Sequence, residues 1–217
     1  MKKLLAIVLT LLVGISAVSA QEFTLGVRLG AVFGFYSSSN EWFGDYDEKP
    51  KFNFNFAFYG AYALTDRLSL QAELNFMINQ GIKYSFSDEW FDDEFNELSF
   101  TYSSFDIPIL LKFAVAKEPV LIGFLAGPHL SFPLGKLMLS GDLEGSNVIY
   151  SQFNIEEITF GLTTGIFAGF PVGPGRITGD LRFLFDFKPV KGNIYGDIEN
   201  MFTRRGLAFT AGYEISF

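Results

Sequence analysis

Few residues in this 217-residue chain have the type and spacing to do chemistry. His129, the single histidine, stands two positions from Ser131, which puts both side chains on one face of an extended strand. A histidine so placed can take the proton of a serine hydroxyl and make it a nucleophile, with Glu144 in the following segment as a carboxylate to orient the ring. An ordinary Ser beside a lone His near a strand end gives the same spacing, and two residues at period two arise readily by chance. One His excludes a multi-histidine metal centre. Zero Cys excludes disulfides, thiolate zinc sites, iron–sulfur clusters, Cys nucleophiles and a lipid-anchoring cysteine. No cofactor and no metal site is expected.

Oxygen-rich segments are the next candidates. Residues 88–97, Asp-Glu-Trp-Phe-Asp-Asp-Glu-Phe-Asn-Glu, form an acidic, aromatic stretch able to attract a divalent cation, but the spacing fits no defined calcium loop. A solvated surface loop explains it more simply, as it does the shorter Asp45-Tyr46-Asp47-Glu48. Gly173-Pro174-Gly175 is turn chemistry rather than a phosphate loop. The net charge of −8 removes nucleic acid as a partner, because phosphate binding needs a basic face.

Residues 1–20 read as an address. Lys2 and Lys3 precede an apolar run from Leu4 to Val13, and Val18-Ser19-Ala20 offers small residues for a signal peptidase. The run is short for a spanning helix, although an N-terminal anchor is the alternative. Cleavage after Ala20 leaves residues 21–217 as one domain and takes the net charge to −10.

The remainder alternates with period two, the mark of strands. Phe23, Leu25, Val27, Leu29, Ala31, Phe33 and Phe35 share a face opposite Arg28. Phe52, Phe54, Phe56, Phe58 and Tyr62 oppose Asn53, Asn55, Ala57, Tyr59 and Ala61. Leu68, Leu70, Leu74, Phe76 and Ile78 oppose Ser69, Gln71, Glu73, Asn75 and Asn79. Phe105, Ile107, Ile109, Leu111 and Phe113 oppose Ser104, Asp106, Pro108, Leu110 and Lys112. Four more runs lie at about 120–132, 158–170, 176–187 and 207–217. The last two carry Arg176, Asp180, Arg182, Asp186 and Glu214 on the less apolar face. Short spacers near 65–67, 116–119 and 171–175 alternate with long ones at 37–51, 80–98, 133–155 and 188–203. Eight strands, short turns at one end and long loops at the other describe an all-β, antiparallel up-and-down barrel.

Alternation alone does not say which face looks in. Volume does. An eight-stranded barrel has room inside only for modest side chains. Five or so large apolar residues per strand, many of them Phe, would overfill it, whereas Gly, Ala, Ser, Thr and Asn fit. The phenylalanine face therefore looks out, and lipid must be its solvent, which makes this a transmembrane barrel. Arg28, Glu73, Asp106, Lys112, Asp180, Arg182 and Glu214 then form an interior charge network. Phe35, Tyr36, Tyr59, Tyr62, Phe113, Phe132, Phe187, Tyr213 and Phe217 fit aromatic girdles at the two membrane surfaces.

Three stretches carry a family resemblance: Asp106-Ile107-Pro108-Ile109-Leu110-Leu111-Lys112, the Gly127-Pro128 that follows, and Gly212-Tyr213-Glu214-Ile215-Ser216-Phe217. With them the chain resembles small bacterial outer-membrane barrels of the porin-family or PorT-like type, similar in architecture to OmpA and OmpX. His129 stands where an aromatic is more usual. The resemblance implies an integral outer-membrane protein, with Tyr213, Ile215 and Phe217 as the signal read by the barrel-insertion machinery. It implies no common catalytic residues. Lipid A deacylases of this architecture use a distantly similar His and Ser pair, but the residues around His129 and Ser131 do not match theirs. The expectation is a non-enzymatic structural or surface-interaction protein with a polar, mostly occluded lumen. A small-conductance channel is the alternative, and a lipid A-modifying enzyme using His129 and Ser131 is further off. Expected partners are outer-membrane lipids, lipopolysaccharide and an extracellular ligand reached through the four long loops.

Overall fold

The computed structural model describes residues 22–38, 47–85, 97–143, 146–155, 157–194 and 197–217. The expected leader, Glu144 and the acidic segment through Asn96 lie outside them. The described residues form eleven strands: β1 (Phe23–Ser38), β2 (Asp47–Lys49), β3 (Lys51–Ala63), β4 (Leu68–Ser85), β5 (Glu97–Ala116), β6 (Leu121–Leu143), β7 (Ser146–Ile155), β8 (Thr159–Val172), β9 (Gly175–Asp186), β10 (Val190–Ile194) and β11 (Asp197–Ser216).

Eleven strands make eight staves. The wall runs β1, β3, β4, β5, β6, β8, β9, β11 and back to β1, antiparallel throughout. β2 continues β3 beyond Pro50, which has no N–H for the ladder. β7 continues β8, and both pair with β6. β10 continues β9 across a break containing Pro189, and both pair with β11. The seam closes from Thr24↔Ser216 to Ser38↔Phe202, and Phe217 N–H donates to the Phe23 carbonyl at 2.8 Å.

Local chemistry makes the turns at one end short. The Thr65 hydroxyl accepts from Leu68 N–H at 3.0 Å, which folds the chain between β3 and β4. Gly173, at φ 61°, precedes Pro174 between β8 and β9, and a hairpin turn with glycine first suits that backbone. The opposite end differs from the sequence expectation. Segments assigned as long loops at 80–98, 133–155 and 188–203 are largely strand among the described residues. β5, β6 and β11 reach 20, 23 and 20 residues. Twenty tilted strand residues rise roughly 50 Å, about twice the height of an apolar membrane band. The barrel stands well proud of any bilayer that bathes its phenylalanines.

Polarity inverts along that height. In the lower storey Leu29, Phe54, Ile78, Ile109, Phe124, Ile166 and Phe209 are exposed on the outside, while Arg28, Glu73, Asp106 and Arg182 are buried inside. In the upper storey Ile82, Tyr84, Phe100, Tyr102, Leu137, Val190 and Phe202 form a buried interior cluster. The residues facing out there include Ser99, Thr101, Ser103 and Lys136, with Leu134 and Met138 exposed among them. β5 keeps one phase throughout, but its apolar set moves from even to odd positions between Tyr102 and Phe105. The lower storey is built for lipid and the upper for water.

A bulge marks the boundary on β4. The register passes from Met77↔Ser104 to Gln80↔Tyr102, so β4 holds one extra residue. Asn79 takes a left-handed φ of 66° and is exposed, contrary to its expected place inside; Gln80 fills that place. A Cβ on Gly81 would come within 1.7 Å of the Phe100 carbonyl oxygen, so only glycine fits there. Tyr59, expected at the membrane surface, is 5% exposed and lies inside, as its odd position on β3 requires.

Two substitutions separate the storeys. Phe56→Arg, midway along β3 on the outer face, should lower stability in lipid vesicles by about 2–4 kcal/mol. Ser99→Arg, on the outer face above the boundary, should change it by less than about 0.5 kcal/mol. Denaturant titration of the folded band in vesicles measures both, and equal losses would refute the inversion.

Candidate functional site in the barrel interior

Period two sends every second side chain of eight staves into one narrow cylinder, so charges distant in sequence meet there. They sort into layers. Nearest mid-height is a closed ring of four. Arg28 donates to Asp180 Oδ2 at 3.0 Å and also pairs with Glu73. Arg182 donates to Glu73 Oε1 at 3.0 Å and to Asp180 Oδ2 at 2.7 Å. Gln71 donates to Glu73, and the Thr210 hydroxyl donates to Asp180 at 3.2 Å. Two cations alternate with two anions, so the ring is neutral. The Nε atoms of Arg28 and Arg182 are buried without partners among the described residues, so charge pairing rather than complete hydrogen bonding holds the ring.

Above it Val32, Met77, Leu184 and Ala208 pack as an apolar layer. The next ionic layer centres on Arg204, which donates to Asp106 Oδ2 and Gln80 Oε1, each at 2.8 Å, and to Asp186 Oδ1 at 3.1 Å. His129 Nε2 lies 2.7 Å from Asp186 Oδ1, and its Nδ1 lies 3.0 Å from Thr163 Oγ1. Ser104 and Ser131 donate to Asp106 Oδ1 at 2.6 and 2.5 Å. The apolar cluster of the upper storey covers this layer. Of Arg28, Glu73, Arg182, His129, Asp186 and Arg204, none is more than 4% exposed, so the column is shut.

Toward the short turns the column opens. Tyr59 donates to Glu214 Oε2 and Arg176 to Glu214 Oε1, each at 3.0 Å. The Lys112 ammonium lies 4.4 Å from the centre of the Phe167 ring. Below them a chamber of about 1040 Å³ opens at the short-turn end.

The residues of the expected network occupy three levels. Arg28, Glu73, Asp180 and Arg182 meet in the ring, Asp106 joins the layer above, and Lys112 and Glu214 roof the chamber. Arg204 escaped sequence reasoning because it precedes the last clear alternating run. Its parity with Ala208, Thr210 and Glu214 is the signal that places it inside. His129 and Ser131 share the inner face as expected, but they engage different acids, Asp186 and Asp106. Tyr213, Ile215 and Phe217 face outward on the closing strand. Among the described residues, no three carboxylate or imidazole groups gather to hold a metal ion.

A buried ion whose partner is removed costs about 3–5 kcal/mol. Arg204→Leu should therefore destabilise the barrel by about that amount. Arg205→Leu, one residue away and lying over the Phe185 ring on the outer face, should cost about 1 kcal/mol or less. Unfolding midpoints in detergent check the contrast.

Comparison with known proteins agrees with this architecture. A family model described as an outer membrane protein beta-barrel domain matches residues 19–192. The solved outer membrane protein OprG from Pseudomonas aeruginosa is similar at 8% identity, with 91% of this chain and 96% of that chain covered and a TM-score of 0.57. A major outer membrane protein from Thermus thermophilus is similar at 15% identity, with 91% and 100% covered and a TM-score of 0.54. At such identities the likeness shows the fold. No curated protein matches the chain.

Proposed function

The chain belongs to the outer-membrane β-barrel family and resides in the bacterial outer membrane; from that premise we propose that it is a sealed, non-enzymatic barrel that presents its raised upper storey to the exterior in a structural or surface-interaction role. The observation that carries this is the shut column. Two ionic layers with an apolar layer between them, under an apolar cap, fill the interior with side chains from the ring to the upper cluster. An ion entering it would have to break the ion pairs of both layers, at a cost far above that of crossing a wide aqueous pore.

The burial of the one nucleophile-and-base candidate supports the non-enzymatic part. His129 and Ser131 are 1% and 2% exposed and face inward, away from the lipid that a lipid A-modifying site must reach. The upper storey supports the surface role. Its outer wall, where Ser99, Thr101, Ser103 and Lys136 lie, stands above the apolar belt on the side of the connections expected to contact an extracellular ligand. The leader over residues 1–20 is proposed to direct export. Tyr213, Ile215 and Phe217 are proposed to be read during insertion, on the strand that closes the seam.

Planar bilayers holding the purified barrel should show no resolved single-channel steps. Regular steps that scale with salt concentration would instead establish the small-channel alternative. Deleting Phe217 should lower the amount of heat-modifiable, folded protein recovered from outer membranes several-fold, and an unchanged yield would remove that residue from the assembly signal.

A further inference from the structure

The interior charges do not balance at the short-turn end. Arg28 and Arg182 match Glu73 and Asp180, and Arg176 matches Glu214. Lys112 is left over. It is 8% exposed, its ammonium borders the 1040 Å³ chamber, and among the described residues no hydrogen bond or ion pair reaches it. The acids Glu214 and Asp180 are already committed to arginines. The rim carries Glu22, Asp66 and Glu118 against Arg67 and Lys117, all exposed, where solvent and salt screen them. The unscreened charge of the chamber is therefore one buried cation, held over the Phe167 ring and facing an opening.

We propose that this chamber is a binding site for a carboxylate monoanion entering from the periplasmic side, with Lys112 as its counter-ion. A single unmatched positive charge selects a monoanion. A phosphate dianion needs a second free cation, and Arg176 is held by Glu214. Thr24 and Ser69 supply hydroxyls along the wall for the body of the ligand. The chamber volume suits either a small organic acid or the C-terminal carboxylate of a peptide. Both present the same group to Lys112.

The test uses the full barrel in detergent and the acylation of Lys112 by an amine-reactive reagent, followed by peptide mass spectrometry. Propionate and N-acetyl-alanyl-alanine should each protect Lys112 saturably, while N-acetyl-alanyl-alaninamide should not. The stronger protector identifies the source, small acid or peptide terminus. By calorimetry, Lys112→Gln should bind the better probe at least about tenfold more weakly. Lys117→Gln, at the rim, should bind it as the unaltered protein does. No protection by either carboxylate, equal protection by the amide, or stronger protection by inorganic phosphate would overturn the assignment. Protection is read on the unaltered protein, so a Lys112→Gln chain that fails to fold leaves the decision intact.

Discussion

A charge inside a narrow cylinder has no water to turn to, so it must find its opposite on another stave. That constraint organises the interior. Arg28 and Asp180 are 152 positions apart in sequence, and Arg204 and Asp106 are 98 apart, yet each pair meets at 3.0 Å or less. Backbone ladders fix the circumference of the barrel, and these pairs tie staves to one another across its interior. The ladders alone allow a wall to flatten or slip. A cation tied to two anions on different staves does not, because a slip of one residue would turn it out into lipid.

The second organising fact is that one chain meets two solvents. On β5 the same alternation serves both, with Phe105 and Ile107 facing out below and Phe100 and Tyr102 facing in above. The backbone is indifferent to the change; only the side chains know where the lipid ends. The upper storey therefore has an apolar core like that of a water-soluble barrel, and the lower storey has its core on the outside. The bulge at Asn79 and the left-handed Gly135, at φ 77°, lie near this boundary, where the wall twists locally as the packing demands change.

The sequence made much of this legible because parity survives any error in strand length. Parity puts Arg28, Glu73, Asp106, Lys112, Asp180, Arg182 and Glu214 on one face, side-chain volume turns that face inward, and the structure has them there. The same counting could not say which of them touch, because contact depends on stave order and shear, which no single strand encodes. The strand extensions were hidden for a physical reason. A search for apolar residues facing out loses the signal where they turn in, so strand above the boundary resembled loop. Arg204 was hidden by that same break. Asn79 was misplaced because one extra residue shifts everything after it. Tyr59 was drawn toward the surface by its residue type, against its own parity.

The seam joins the first strand to the last, Leu25 to Ile215 and Phe33 to Leu207. In this register the ring cannot close until β11 has been made, because β11 supplies one side of the seam. The final strand also delivers Arg204 to Asp106 and Asp186. Until it arrives, the upper layer holds two carboxylates with no guanidinium between them. The last stave of the ring is thus the one that brings these acids their counter-charge, and the shutting of the cylinder and the pairing of its upper layer are a single event.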